Sequence, residues 1–247
     1  MNKFFKILLV SGLTIFLGTA MASAEPNLQS IIDSITQAPT LGGSSIDVST
    51  AALDDHSDSY WSLTASGGSM STLIAEWAGY APYNTFGIFD RNNPNNKVEL
   101  FSGAASAGQP VIFSITSAGS VSRNFSPTNI NFSGNSFGYY LENKPGNVFF
   151  SDTSLNKDGF DHMLAIAGND IDSVKIDPWA SGLWTDTEFI LGFEDLYGGG
   201  DKDFNDFVVM VGSVNPVPAP EPATLFLLGT GLIGLAGFGR KKLIKKA

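Results

Sequence analysis

The residues best suited to chemistry in this 247-residue chain are carboxylates crowded into one short segment. This acidic loop, residues 194–206, holds five Asp and Glu side chains, with Lys202 as its one cation. Carboxylates a few ångströms apart repel one another unless they are protonated or share a cation. Hard oxygen ligands without cysteine or clustered histidine favour calcium over zinc or copper. The pattern predicts a calcium site, with a solvated acidic turn as the alternative. The predicted ligands are Glu194, Asp195, Asp201, Asp203, Asn205 and Asp206.

Two β-rich runs flank this loop and determine its place in the fold. Residues 189–193 precede it and residues 207–211 follow it, so the loop should join the two strands of a hairpin. A loop of about 13 residues is too long to be left without structure in a compact domain, and the glycines at 198–200 give it access to positive φ. It is not an EF-hand, because strands flank it and Asp206 stands where that motif needs glycine.

A second acidic group surrounds His162. The run Asp158-Gly159-Phe160-Asp161-His162 offers Asp158 and Asp161 as further candidate ligands, and Asp90, at the end of a predicted strand, is another. An Asp-Gly pair is also typical of a plain turn, and a single histidine beside a strand is more often structural than a ligand. Both interpretations stay open from the residues alone.

Short β-rich runs separated by Gly, Pro, Asn and Ser clusters make up the rest of the domain. Strands at this spacing predict an all-β fold, an antiparallel β-sandwich of jelly-roll type. Before them, Leu28, Ile31, Ile32 and Ile35 recur at helical spacing behind the N-cap candidate Asn27, which predicts one short N-terminal helix over 27–36. The predicted strands are 60–65, 71–77, 85–89, 97–101, 111–116, 137–141, 147–150, 162–167, 188–193 and 207–211.

The acidic loop also carries a family resemblance. With Phe193 before it, it reads Phe-Glu-Asp…Gly-Gly-Asp-x-Asp-Phe-Asn-Asp, which resembles the signature of the bacterial domain-of-unknown-function family 4114 found in exported proteins. Residues 76–80, 84–90 and 158–162 fit the same family, so the resemblance extends over residues 71–211. It implies a β-sandwich that binds calcium, and it brings no known activity with it.

The N-terminus has the features of a secretory signal peptide. Lys3 and Lys6 precede an apolar core at residues 7–18, and Ala22-Ser23-Ala24 fits the small-residue cleavage pattern. The apolar core is too short to span a membrane. We therefore predict that signal peptidase recognises Ala22 and Ala24 and leaves a mature chain that begins near Glu25.

The C-terminus combines three features in order. Pro220-Glu221-Pro222 precedes the uncharged apolar run 223–239, and a basic cluster follows that run. About 17 apolar residues is the short end of a membrane span, and downstream cations keep that end in the cytoplasm. A plain C-terminal anchor explains the run and the charges, but not the triplet.

The order of triplet, apolar run and basic cluster resembles the PEP-CTERM sorting signal, which implies cutting by an exosortase. It thus implies a transient inner-membrane anchor before delivery to the cell envelope or extracellular space. The basic cluster comprises Arg240, Lys241, Lys242, Lys245 and Lys246.

One domain is predicted between the two processed ends. The predicted organisation is a signal peptide at 1–24, a short helix and lead-in at 25–45, the β-sandwich at 46–214, a Pro-rich spacer at 215–220 and the sorting signal at 220–247. Because the chain has no cysteine, its exported part must be stabilised by core burial or by metal. Residues 25–221 carry 7 Lys and Arg against 24 Asp and Glu, a formal charge of −17, which argues against nucleic acid as a partner.

The sequence offers little support for catalysis. His56 and His162 are the only imidazoles, no thiol is present, and no Gly-x-Ser-x-Gly elbow occurs. The prediction is a non-catalytic, calcium-stabilised protein of the cell envelope or extracellular matrix. One alternative is a glycan-binding or adhesion module for exopolysaccharide, with Trp179 and Trp184 as the sugar contacts. The other is an extracellular glycosidase that acts through a pair of carboxylates.

Overall fold

The computed structural model of the protein describes residues 25–40, 42–64, 68–76 and 79–218, together with Thr230. In this part of the chain the strands are short, because turn-forming clusters interrupt the apolar runs. The strands are β1 (Thr36–Gln37), β2 (Trp61–Leu63), β3 (Ser69–Ala75), β4 (Thr85–Asp90), β5 (Asn93–Phe101), β6 (Pro110–Ile115), β7 (Ser120–Arg123), β8 (Ser126–Asn131), β9 (Ser136–Glu142), β10 (Val148–Phe150), β11 (Met163–Ala167), β12 (Ser173–Val174), β13 (Gly182–Leu183), β14 (Glu188–Phe193), β15 (Phe207–Gly212) and β16 (Val214–Pro216). The α-helices are α1 (Leu28–Ile35), α2 (Val48–Ala51) and α3 (Asp55–Asp58).

Two antiparallel sheets share one apolar core and confirm the predicted β-sandwich. One sheet has the order β16-β2-β9-β4-β5, with β10 also paired to β9, and the other has the order β11-β14-β15-β3-β6-β7-β8. Inward-facing residues of both sheets form the core. Trp61 packs against Phe189 of the opposite sheet with ring centroids 4.7 Å apart, and Phe86 packs against Phe207 at 5.0 Å. These rings hold the two sheets together.

A second apolar layer covers the outer face of the seven-stranded sheet. Helix α1 begins after Asn27, whose side chain accepts the Ser30 N–H at 2.9 Å, so the predicted N-cap is confirmed. The Leu28 N–H donates to Asp203 O at 2.9 Å, which places the start of α1 against the acidic loop. A small sheet, β1-β12-β13, continues from the end of α1. The buried residues of the layer are Leu28, Ile31, Ile32, Ile74, Ile166, Val174, Ile176, Trp184, Ile190 and Val208.

Each of the ten predicted strands overlaps an observed strand, but the structure adds elements that the sequence does not predict. The β7–β8 hairpin is polar and exposed on alternate residues at a sheet edge, so it lacks a strong apolar pattern. Helices α2 and α3 have four residues each, too few for a periodic signal. Asn215 and Pro216, predicted to begin the spacer, pair with β2 instead. Proline is tolerated there because β16 is an edge strand.

The predictions for the two ends of the chain concern residues that the structure does not describe. They are the signal peptide with Ala22 and Ala24, the triplet Pro220, Glu221 and Pro222, and the basic residues that include Arg240, Lys241 and Lys242. Within the part of the chain that the structure describes, no helix combines the length and the apolar character that a membrane span requires.

Candidate metal centre

The acidic loop begins where the β14–β15 hairpin opens. Phe193 and Phe207 form the last pair of the hairpin, so the chain leaves the sheet directly after them. Successive side chains of a strand point to opposite faces. Phe193 belongs to the core between the sheets, so Glu194 turns to the outer face and Asp195 turns back toward the six-stranded sheet. The loop carboxylates are therefore divided into an outer and an inner group.

The outer group contains Glu194, Asp201 and Asp203. One carboxylate oxygen from each lies within 4.8 Å of the others. Glu194 is 0 % exposed. Its Oε1 accepts the Phe204 N–H at 2.6 Å, whereas its Oε2 is buried without a hydrogen-bond partner. A buried polar atom left unsatisfied costs about 1–3 kcal/mol, so this oxygen is where a ligand would contribute most.

No cation of the described residues neutralises the outer group. Burial first, and then the charges of Asp201 and Asp203, raise the pKa of Glu194 from 4.5 to about 7. Burial and the charge of Asp201 also raise the pKa of Asp203. Lys202 is turned away, with its Nζ 5.1 Å from the ring centroid of Phe160. Among the described residues, the three carboxylates take part in no ion pair.

Glycines allow the loop to fold back over Glu194. Residues 198–200 all have positive φ, between 48° and 79°. A Cβ on Gly199 would lie 2.1 Å from the Phe160 ring, and a Cβ on Gly200 would lie 2.9 Å from Glu194 Oε2. Side chains at these positions would displace the ring or the carboxylate, so the glycines are needed for this arrangement.

The donors of the outer group fit a calcium ion. Three carboxylates supply hard oxygens close to one point, with no nitrogen or sulfur among them, which is the ligand chemistry that calcium prefers. The partnerless Oε2 of Glu194 is the observation that a cation would account for. Binding a proton is the other way to relieve the repulsion, in keeping with the raised pKa of Glu194.

Asn205 supports this group without adding a carboxylate to it. Its Nδ2 donates to Asp203 Oδ2 and to Pro26 O, both at 2.7 Å. The amide therefore orients the Asp203 carboxylate and ties the loop to the chain before α1. The predicted ligand Asn205 is thus placed beside the outer group, with its amide nitrogen engaged in positioning.

Asp158 and His162 hold the backbone of the loop. Asp158 Oδ2 accepts the Gly198 N–H at 2.7 Å and lies 2.9 Å from His162 Nε2. The other ring nitrogen of His162, Nδ1, lies 3.0 Å from Glu194 O. Burial raises the pKa of Asp158, but the hydrogen bonds from Gly198, His162 and Phe160 outweigh it and lower the pKa overall. Both residues serve the loop as anchors and lie outside the outer group.

Two family matches bear on the chain. Residues 106–213, which include the acidic loop, match a domain of unknown function, DUF4114. The chain carries a DUF4114 domain. Residues 218–241 match the PEP-CTERM protein-sorting motif, which implies an exported protein that an exosortase recognises and that reaches the cell envelope or the outside. No curated protein and no solved structure matches the chain.

The inner group lies on the other side of the same DUF4114 loop. The Asp195 N–H donates to Asp206 Oδ2 at 2.8 Å, and Asn84 Nδ2 donates to Asp195 Oδ2 at 2.9 Å. Burial first, and then the charges of Asp195 and Asp206, raise the pKa of Glu76 to about 8. Burial likewise raises the pKa of Asp206 to about 7. Glu76 Oε1 and Asn84 Oδ1 are both buried without partners.

The structure therefore does not assemble the six predicted ligands around one point. Asp195 and Asp206 are separated from Glu194 because adjacent side chains at the end of β14 project to opposite faces. Glu76 and Asn84, which join them, are absent from the predicted ligands. Both precede the DUF4114 match, and their one sequence signal was that residues 76–80 and 84–90 resembled the same family.

Two further candidate ligands lie elsewhere. Asp90 ends β4 at the edge away from the loop, about 20 Å along the strand from Asn84 at ~3.3 Å per residue. Its Oδ1 accepts the Asn92 N–H at 3.0 Å, and its Oδ2 accepts the Ser133 N–H and Oγ–H at 2.7 Å. It is therefore a turn residue. Asp161 Oδ1 accepts the Met163 N–H at 3.2 Å, at the start of β11.

The two tryptophans predicted to contact glycan differ in exposure. Trp184 is 0 % exposed, belongs to the layer beneath α1, and donates its Nε1–H to Glu188 O at 3.0 Å. The prediction for Trp184 is wrong, because the outer apolar layer covers its ring. Trp179 is 50 % exposed and donates its Nε1–H to Gly108 O at 2.9 Å. Of the two tryptophans, Trp179 is therefore the one exposed enough to contact a sugar.

Proposed function

We propose that the protein is an exported, non-catalytic β-sandwich stabilised by calcium at Glu194, Asp201 and Asp203. The observation that carries the proposal is the buried Oε2 of Glu194, which has no partner while two further carboxylates converge on it. A calcium ion would supply the missing contact and remove the repulsion together. Extracellular calcium modules bind with dissociation constants of about 10⁻⁴–10⁻³ M, which suffices where calcium is millimolar.

Burial of Glu194 and Asp195 supports a non-catalytic role. Glycoside hydrolysis needs two carboxyl groups on either side of a bound sugar. Glu194 and Asp195 are at most 1 % exposed, so a substrate would not reach their oxygens. His162 is fully buried, and both of its ring nitrogens are occupied by oxygen atoms of the fold. These groups shape the loop and are poorly placed to contact a substrate.

The sorting motif supports a two-stage delivery. In this proposal the apolar run 223–239 holds the chain in the inner membrane, and the cations after it keep its end in the cytoplasm. An exosortase then cuts near Pro220-Glu221-Pro222 and releases the domain to the envelope or the extracellular matrix. Calcium outside the cell would complete the loop after export.

Calcium titration of thermal stability tests the metal proposal. With calcium at about 100 times the dissociation constant, binding to the outer group should add about 2.7 kcal/mol to the free energy of unfolding. For a domain of this size that corresponds to a rise in Tm of about 5–11 °C. Magnesium should replace calcium poorly, because it needs strict octahedral geometry that three protein carboxylates on a loop do not impose.

Matched variants test whether the acidic loop is the source of the calcium-dependent rise in Tm. Asp201→Asn and Asp203→Asn should each remove this contribution to Tm and one bound calcium per chain. Asp186→Asn, the same change at an exposed carboxylate outside the loop, should leave both unchanged. The proposal fails if both loop variants keep the wild-type response to calcium and to chelator.

A further inference from the structure

The last stretch of the described domain, residues 214–218, lies on the six-stranded sheet and does not lead away from it. Its first three residues pair with β2 as strand β16. The Val217 N–H then donates to Tyr60 O at 2.7 Å, and the Val217 side chain packs against a cluster of buried aromatic residues. Arg91 Nη2 donates to Pro218 O at 3.4 Å. This C-terminal strap, residues 214–218, is therefore held to the fold as far as Pro218.

The strap ends at the end of the sandwich that lies opposite to the acidic loop. One row of paired residues crosses four strands there: Pro216, Trp61, Phe137 and Asp90. Asn84, just before the other end of β4, donates to Asp195 of the acidic loop at 2.9 Å. At ~3.3 Å per residue along β4, the two ends of the sandwich are about 20 Å apart. The end that carries Arg91 and Pro218 is called the strap end below.

A short stretch of sequence separates the strap from the apolar run. Residues 219–222 lie between Pro218 and Ala223, where the apolar run 223–239 begins. An extended chain covers at most about 3.6 Å per residue, so the Cα atoms of Pro218 and Ala223 are at most about 18 Å apart. With the apolar run in the inner membrane, as the proposed delivery requires, the strap end must lie next to the bilayer surface.

The segments that meet at the strap end suit a lipid surface. Asp90 is 0 % exposed, and both of its carboxylate oxygens accept hydrogen bonds within the fold. Residues 91–96 comprise one arginine, four asparagines and one proline, and residues 132–136 and the strap carry no charge. Among the described residues, Arg91 takes part in no ion pair. A guanidinium binds headgroup phosphates, whereas those phosphates repel the carboxylates of the acidic loop.

We propose that, while the chain is anchored, the strap end of the sandwich rests on the lipid headgroups of the inner membrane and the acidic loop faces away from it. This inference rests on the proposed anchoring by the apolar run, and it adds which face of the domain meets the bilayer. The strap fixes the point at which the chain leaves the fold, and the short stretch 219–222 limits its distance from the lipid. The triplet 220–222 then lies between the domain and the bilayer, and the acidic loop stays open to calcium in the surrounding solution.

Short-range quenching by lipid headgroups tests the orientation. Because the chain has no cysteine, a single fluorophore can be attached to Asn92→Cys at the strap end or to Lys144→Cys at the loop end. Both positions are exposed, and Asn143, beside Lys144, donates to Asp195 O at 2.7 Å. The uncut chain, purified from cells that lack an exosortase, is placed in vesicles of phosphatidylethanolamine and phosphatidylglycerol in which some headgroups carry a nitroxide. The label at residue 92 should lose most of its fluorescence, and the label at residue 144 should keep most of it.

Lengthening the chain between the strap and the apolar run provides the matched control. A Gly-Ser insertion of about eight residues after Pro218 adds roughly 16 Å of flexible reach without changing the domain. The quenching at residue 92 should then fall toward the level at residue 144. The same insertion after Ser117, in the exposed β6–β7 turn, should preserve the difference between the two labels.

The possible failures are distinguishable. Equal quenching of both labels, in a chain that floats with the vesicles, would overturn the orientation and leave the anchor in place. A chain that does not float with the vesicles would overturn the anchor and this inference with it. Quenching at residue 92 that requires an exosortase in the same vesicles would overturn lipid as the partner, because the strap end would then meet the protease.

Discussion

Replacing Glu194 by glutamine separates the electrostatic cost of the outer group from its ability to bind calcium. Glutamine keeps the oxygen that accepts the Phe204 N–H and places an amide nitrogen where Oε2 now lies without a partner. That nitrogen can donate to Asp201 or Asp203. The variant therefore resembles the protonated form of Glu194 at every pH, but it loses the charge that a calcium ion needs.

The magnitude follows from the pKa of Glu194, which burial and the neighbouring carboxylates raise from 4.5 to about 7. A group whose pKa is higher in the folded state stabilises the fold fully below 4.5, and this stabilisation is lost as the pH rises through about 7. At about 1.4 kcal/mol per pH unit, the loss is about 3 kcal/mol above that range. Without calcium at about pH 8, Glu194→Gln should thus be more stable than the wild type by about 3 kcal/mol, or about 6–12 °C in Tm.

Calcium should nearly remove this difference in stability between Glu194→Gln and the wild type. At about 100 times the dissociation constant it returns about 2.7 kcal/mol to the wild type and none to the variant through this site. The assay is chemical or thermal unfolding of both proteins at about pH 5 and about pH 8, with calcium or with chelator. Glu99→Gln, the same change at an exposed position of β5, should leave all four measurements unchanged. A Glu194→Gln variant that is less stable than the wild type in chelator at the higher pH would refute the reasoning.

Two other predictions concern the inner group and the sorting signal. Burial and two neighbouring carboxylates raise the pKa of Glu76 to about 8, so the stability that its proton provides is lost as the pH rises through that value. Glu76→Gln should therefore reduce the fall in Tm between acidic and alkaline pH in chelator; an unchanged pH profile would count against the inner group. Replacing Pro220-Glu221-Pro222 by alanines should retain the chain at the inner membrane with an unaltered domain Tm, as measured by fractionation and melting. Normal release of that variant would identify the C-terminus as an ordinary anchor.

The sequence by itself determined the features that depend on near neighbours in the chain. The ten strands with a clear apolar pattern, the N-cap at Asn27 and the hairpin around the acidic loop are all present where local patterns predict them. Alternation and capping act over a few residues, so they can be read without knowing the partners. The two ends of the chain are recognised in the same way, since their meaning lies in the order of short motifs.

Only the tertiary structure decided which carboxylates meet. Glu194 and Asp195 are adjacent in sequence, yet the direction of side chains at the end of β14 sends them to different groups. Asn84 and Asp195 are far apart in sequence, yet the packing of the two sheets lets Asn84 Nδ2 donate to Asp195 Oδ2 at 2.9 Å. The sequence predicts that both Trp179 and Trp184 are exposed, but Trp184 is buried in the apolar layer beneath α1. Each outcome depends on which faces of the sheets and helix pack against one another, and that packing is a property of the whole chain.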